Sequence, residues 1–150
     1  MGSRKHQRAE RLKEERKSKY FASLKNSSIA PRKMRLVADM VRGKDVNTAL
    51  DLLRYSPKHA SRDVEKLLLS AIANWQTKNE GVRIEDAELF ISGVRVDGGR
   101  ILKRLQPAPQ GRAHRIRKRS NHITIELNSF ADIESETEEM IDNNDEISNS

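Results

Sequence analysis

The chain has 150 residues, with 29 Lys and Arg against 22 Asp and Glu, a pI near 9.9 and no cysteine. That length leaves room for one modest core with extensions, and the missing thiols exclude a disulfide framework and any thiolate metal site, in keeping with a reducing compartment such as the cytoplasm. Residues 1–19 hold no apolar run for a signal peptide or membrane span, and His6 stands where a myristoylation signal needs Ser or Thr, so a soluble, unanchored protein with a polyanionic partner is expected.

Residues 1–18 are polar and charged, mixing Glu10 and Glu14 with Arg11 and Lys13. Too few apolar side chains are present to pack, which predicts a basic N-terminal arm, extended or helical on RNA. Residues 20–24 are strand-like, and Asn26-Ser27-Ser28 breaks them. From Pro31 the apolar positions Met34, Val37, Ala38 and Val41 recur at helical spacing and Gly43 supplies a stop, giving a first helix over residues 31–42. Asp45 is a candidate cap for a second helix carrying Val46, Ala49, Leu50 and Leu53. Ser56-Pro57 ends it and offers an N-cap and first position for a third helix over residues 57–78. That helix presents Ala60, Val64, Leu67, Leu68, Ala71, Ile72 and Trp75 on one face, so Trp75 reads as a core anchor rather than a base-stacking platform. Past Gly81 the period changes, and residues 88–96 and 122–127 read as β-strands.

Between those strands lie about two dozen residues with little apolar content, a length usually either functional or disordered. If the strands run on as a hairpin, a dozen residues per arm give a reach on the order of 40 Å. Pro107-Ala108-Pro109-Gln110-Gly111 provides turn chemistry at the midpoint. Charge singles out the same segment. Residues 98–119 hold eight cations (Arg100, Lys103, Arg104, Arg112, Arg115, Arg117, Lys118, Arg119) and no acid, whereas residues 26–97 hold twelve basic and ten acidic side chains. Residues 129–150 hold eight acids and no base. Without that tail, 29 basic and 14 acidic residues remain, a net +15 that the formal +7 conceals. The tail reads as a disordered, solubilising extension.

Eight cations with no acid, flanked by strands, point to phosphate contact rather than to decoration of a solvated loop. With six aromatic residues, mostly in core patterns, stacking on single strands is poorly supported and structured RNA fits better. Four histidines share no metal-ligand spacing, and there is no Gly-rich phosphate loop or nucleophile elbow, so no metal, cofactor or catalysis is expected. His114, among arginines, reads as one more phosphate contact. His122 and Glu126 share a strand face but lie about 13 Å apart, beyond proton-transfer reach.

Specific motifs then bring a resemblance into view. Residues 31–44 (PRKMRLVADMVRGK), 70–74 (SAIAN), 96–99 (VDGG), Lys103-Arg104 and 111–125 (GRAHRIRKRSNHITI) resemble the large ribosomal subunit protein twenty-two family of bacterial type, over roughly residues 20–127. The resemblance implies an α+β fold of three helices packed on a small antiparallel three-stranded sheet, within a unit of residues 19–128 whose hairpin, 97–121, protrudes. It also implies a non-enzymatic structural constituent of the large subunit, in the cytoplasm, that binds ribosomal RNA, aids subunit assembly and lines the peptide exit tunnel. Its partners would be large-subunit ribosomal RNA, neighbouring ribosomal proteins and the nascent polypeptide at the hairpin tip, with no membrane. Carried over, Arg32, Lys33 and Arg35 become RNA contacts of the domain, the eight hairpin cations and His114 become contacts along the arm, and Gln106, Pro107, Ala108, Pro109, Gln110 and Gly111 form the tunnel tip. Positions 108 and 110, commonly basic in that family, are Ala and Gln here, and Ala30 replaces the usual hydroxyl cap before the first helix. A free RNA-binding regulator or chaperone is the competing class, and a nuclease a distant third.

Overall fold

The computed structural model describes residues 3–79 and 87–129, so the change of period at Gly81 and the acidic stretch from residue 130 onward lie outside the described residues. In chain order the elements are α1 (Ser3–Ser18), β1 (Tyr20–Ser27), α2 (Pro31–Val41), α3 (Val46–Tyr55), α4 (His59–Lys78), β2 (Leu89–Pro107), a 3-10 turn (Pro109–Gly111) and β3 (Ala113–Ser129). The sheet order is β1-β3-β2, antiparallel throughout, so β3 is central and hydrogen-bonds on both edges. The fold is α+β, with three of the four helices packed on the sheet and α1 standing outside it.

The core forms where the helical and strand periodicities meet. Met34, Val37, Ala38 and Val41 of α2 are all buried. So are Val64, Leu68, Ala71 and Trp75 of α4, and they face Ile123, Ile125 and Leu127, alternate residues of β3. Each fully buried aliphatic side chain of this kind contributes roughly 1.5–3 kcal/mol. Trp75 is 3% exposed, with the Tyr20 ring edge-on at 6.3 Å, which makes it a core residue. Its position between α4 and the first residue of β1 welds the start of the sheet to the longest packed helix.

Three local details differ from the sequence reading. Asp45 stands at the N-cap of α3 but makes no side-chain bond to the first turn; its backbone is tied instead into a β-bridge with Phe90. Next to it, Gly43, at φ +71°, donates its N–H to Ile91 O at 3.0 Å, and Ile91 N–H donates to Lys44 O at 3.0 Å. The α2–α3 connection is thereby pinned to the edge of β2. Helix α4 begins at His59, not Pro57, because Lys58 is itself extended (φ −75°, ψ 129°) and takes the N-cap position, with its N–H donating to the Ser56 hydroxyl at 3.4 Å. The hairpin is also shorter in its free part than the dozen residues per arm expected. The sheet stays packed out to the Gly98–Asn121 pair, where Asn121 is fully buried, so only about nine residues of β2, roughly 30 Å, extend beyond the core.

Helix α2 is preceded by Ala30 as its N-cap, in extended backbone with no side-chain hydrogen bond to the first turn. An Ala30→Ser substitution supplies the missing acceptor and is expected to raise the unfolding free energy by about 1 kcal/mol. Urea denaturation followed by the fluorescence of the single Trp75 checks it, and an unchanged midpoint would show that the first-turn amides gain nothing from the hydroxyl.

Candidate nucleic-acid interface

Strand β3 runs without a bulge of its own from the tip to the far end of the sheet, so its alternation is readable along its whole length. The face that buries Leu127, Ile125 and Ile123 beneath the helices continues outward through Asn121 into Arg119, Arg117 and Arg115. One face of one strand therefore passes from apolar core to a row of guanidinium groups with a single buried amide at the border. The register completes the picture. Ile101 lies opposite Arg119, Lys103 opposite Arg117 and Leu105 opposite Arg115 on this face. Leu102 pairs with Lys118, Arg104 with Ile116 and Gln106 with His114 on the other.

All eight predicted hairpin cations and His114 are exposed. None of them has an ion-pair partner among the described residues; Arg104 alone spends a donor on protein, binding Lys103 O at 2.9 Å. Two cations of the body, by contrast, are engaged. Arg42 donates to Val94 O at 3.1 Å and pairs with Asp39 at 3.0 Å, while Arg95 is bound to Glu126 across the sheet. His122 and Glu126 are thus committed separately, since His122 Nδ1 accepts the Asn26 N–H at 2.9 Å. Among the described residues no group of His, Asp and Glu is clustered as a metal site requires.

The root is locked by two residues that sequence reasoning passed over. Asn121, fully buried, donates its amide to Ile29 O at 2.6 Å, holding the segment that leads into α2 against the base of the hairpin. Ser120 Oγ donates to Arg100 O at 2.6 Å across the bulge between Gly98 and Ile101. Both sit inside the quoted 111–125 motif, but a lone Ser-Asn pair carries no signal for such a role. Arg35 reaches the same root and donates to Val96 O at 3.2 Å. The structure therefore brings Arg35 to the hairpin base, while Arg32 and Lys33 are exposed on the same helix.

At the tip, Gln106 and Pro107 remain in the ladder opposite His114 and Ala113, so the turn proper is Ala108 to Arg112. It is closed by Ala108 N–H donating to Arg112 O at 2.8 Å, with Gln110 (φ 62°) and Gly111 (φ +70°) both left-handed. Gly111 fits that conformation without strain, whereas Gln110 bears a cost of about 1 kcal/mol that the closed turn imposes.

Residues 22–128 match the family model described as ribosomal protein L22p/L17e. The curated large ribosomal subunit protein uL22 of Christiangramia forsetii is 62% identical over 127 residues, covering 85% of this chain and 94% of the relative. That of Flavobacterium psychrophilum is 62% identical over 130 residues, covering 87% and 95%. That of Bacteroides fragilis strain YCH46 is 56% identical over 140 residues, covering 93% and 99%.

Gly99 tests the root geometry. A Cβ there would lie 2.8 Å from Ser120 Oγ and 3.1 and 3.2 Å from the backbone of Ser120 and Asn121. Because backbone cannot swing aside, Gly99→Ala is expected to destabilise the protein by about 1–3 kcal/mol and to perturb the amide resonances of residues 98–101 and 119–121. A thermal midpoint equal to that of the unsubstituted protein would mean the bulge relaxes freely.

Proposed function

The chain belongs to the ribosomal protein L22p/L17e family, and from that membership we propose that it binds large-subunit ribosomal RNA along its hairpin, supports subunit assembly and lines the peptide exit tunnel with its tip. It is a structural constituent of the large ribosomal subunit, of a family not known as enzymes. Its place is then the ribosome in the cytoplasm, with ribosomal RNA and other ribosomal proteins as neighbours.

One observation carries the RNA-binding reading: eight exposed cations, none ion-paired among the described residues, spread along a hairpin whose ladder keeps its register from the Ile101–Arg119 pair to the Pro107–Ala113 pair. Both faces of the ladder bear charge, Lys103, Arg115, Arg117 and Arg119 on one and Arg104 and Lys118 on the other, with His114 beside them. A partner for such an arm has to be polyanionic on both sides, as folded RNA is when it encloses a strand pair. Binding would be driven largely by counterion release, with the ladder fixing which phosphates are met. Ile101, Leu102 and Leu105, at 38%, 47% and 71% exposure, lie beside these cations and offer apolar contact to sugars and bases once RNA closes around them. The turn from Ala108 to Gly111 carries no charge and is shaped by backbone bonds, which suits a wall element facing the tunnel and the nascent polypeptide. Arg32, Lys33 and Arg35 extend the same surface onto the domain.

Charge reversal of Arg112, Arg115, Arg117 and Arg119 together should abolish incorporation into large subunits on a sucrose gradient after a high-salt wash. The isolated variant should unfold no earlier than the wild type by Trp75 fluorescence, since these side chains are exposed and lie outside the core. Neutralising the four should lower the slope of log K against log salt for ribosomal RNA by about 3. Incorporation that survives reversal would overturn the role of the arm. Absence of the wild-type protein from washed subunits would favour a free RNA-binding regulator instead.

A further inference from the structure

Helix α1 lies outside the core, and every side chain described in it is exposed. Its 16 residues hold seven Lys and Arg against three Glu, with no acid in the first turn. At about 100° per residue, Arg4, Lys5, Arg8 and Arg16 fall within one arc of about 120°, and Glu10 and Glu14 lie on the opposite side. In sequence Glu15 falls inside the basic arc, and Glu10 is held by His6 at 3.1 Å. Arg4, Lys5 and Arg8 have no ion-pair partner among the described residues. Arg4 and Lys5 also stand at the positive end of the helix dipole, where an anion is favoured and a cation is not.

The acidic stretch of the chain begins where α1 ends. Tyr20, the first residue of β1, pairs with Leu127; β3 stops two residues later at Ser129, and α1 stops two residues before Tyr20, at Ser18. Lys78, in the last turn of α4, ties this end of α1 to the body by donating to Lys17 O and Lys19 O at 2.8 Å. The chain thus passes from Ser129 into residues 130–150, with eight acids and no base, beside the last turn of α1. The first hairpin cations, Arg100 and Arg119, lie nine or ten residues back along β3, roughly 30 Å away. The shorter closure is therefore onto α1.

Spacing agrees with sign. Asp132, Glu134, Glu136 and Glu138 recur at every second position, so an extended chain presents their carboxylates to one side over about 20 Å. From Arg16 to Arg4, α1 spans about 18 Å. A segment that leaves Ser129 and runs back along α1 sets Asp132 near Arg16 and brings Glu138 to the first turn, which has no acid of its own.

We propose that residues 130–139 dock antiparallel along the basic side of α1 when no RNA is bound. The contact is intramolecular and goes beyond the RNA-binding reading of the hairpin, on which it does not depend. Single exposed ion pairs are weak, but the tether through Ser129 holds the segment at an effective concentration on the order of millimolar, and several pairs act together. A polyanion then reaches α1 only by displacing the segment, which filters out weak, indiscriminate contacts.

The test uses the full chain without RNA, with a nitroxide on Ser135→Cys, the single cysteine of that variant. At low salt the label should broaden amide resonances of α1 and spare residues 100–119. The broadening should vanish in about 0.5 M salt, where the Debye length is about 4 Å. It should also vanish in the proximal variant (Asp132→Asn, Glu134→Gln, Glu136→Gln, Glu138→Gln) and persist in the distal variant (Glu139→Gln, Asp142→Asn, Asp145→Asn, Glu146→Gln). The two variants change net charge equally, and both should keep the Trp75 unfolding midpoint. For polyuridine RNA, the proximal variant should show a salt slope steeper by about 3 than the distal one. Broadening centred on residues 100–119, loss of broadening on dilution with unlabelled chain, an equal response of the two variants or equal slopes would each overturn the proposal. None of these outcomes bears on incorporation of the charge-reversed hairpin into subunits, so the two readings fail separately.

Discussion

The outer half of the hairpin has no core, so the backbone ladder between β2 and β3 is the interaction on which the rest depends. A two-stranded ribbon is marginal in water by itself. Here it is the continuation of a three-stranded sheet whose central strand is clamped on both edges and buried on one face, and order propagates outward from that clamp. The root bonds of Asn121 and Ser120 set the direction at the border. The closed turn at Ala108 to Arg112 keeps the far end in register.

Against that order stands the charge the ladder carries. Lys103 lies directly opposite Arg117, and like charges across a pair are destabilising. With no acid from residue 98 to 119, nothing within the arm relieves the repulsion. An arm built this way gains when it meets phosphate, because the partner removes a cost already present in the free protein. Two domain cations behave otherwise: Arg42 holds the end of α2 to β2 through Val94 O, and Arg95 is bound to Glu126 across the sheet. Arg35 does both, bonding the edge of β2 while remaining exposed at the hairpin base.

The body is a platform for these projections. Trp75 and Tyr20 weld α4 to the first strand, Ser27 donates to Asp63 of α4 at 3.0 Å, and Asn121 ties the entry of α2 to β3. Each bond joins an element that carries the core to one that carries a projection. Aim is thereby inherited from packing and does not need to be specified in the projections themselves.

Periodicity and charge counting, residue by residue, determined much of this protein. The faces of α2, α3 and α4, the strand character of residues 88–96 and 122–127, the break at Gly43 and the acid-free run of residues 98–119 are local properties, set by spacing and side-chain type. The capping roles of Asp45 and Ser56-Pro57 did not follow, because Asp45 is drawn into a backbone bridge to Phe90 and the chain stays extended through Lys58. Nor did the pairing of β1 with β3, the free length of the arm, or the lock at Asn121. Those depend on which strand lies between two others and how far the helices reach along it, and only the assembled core decides that. The same holds for α1: its composition marks a helix former, but its C-terminal end is tied to α4 by Lys78, almost sixty residues away in sequence, whose ammonium group donates to Lys17 O and Lys19 O.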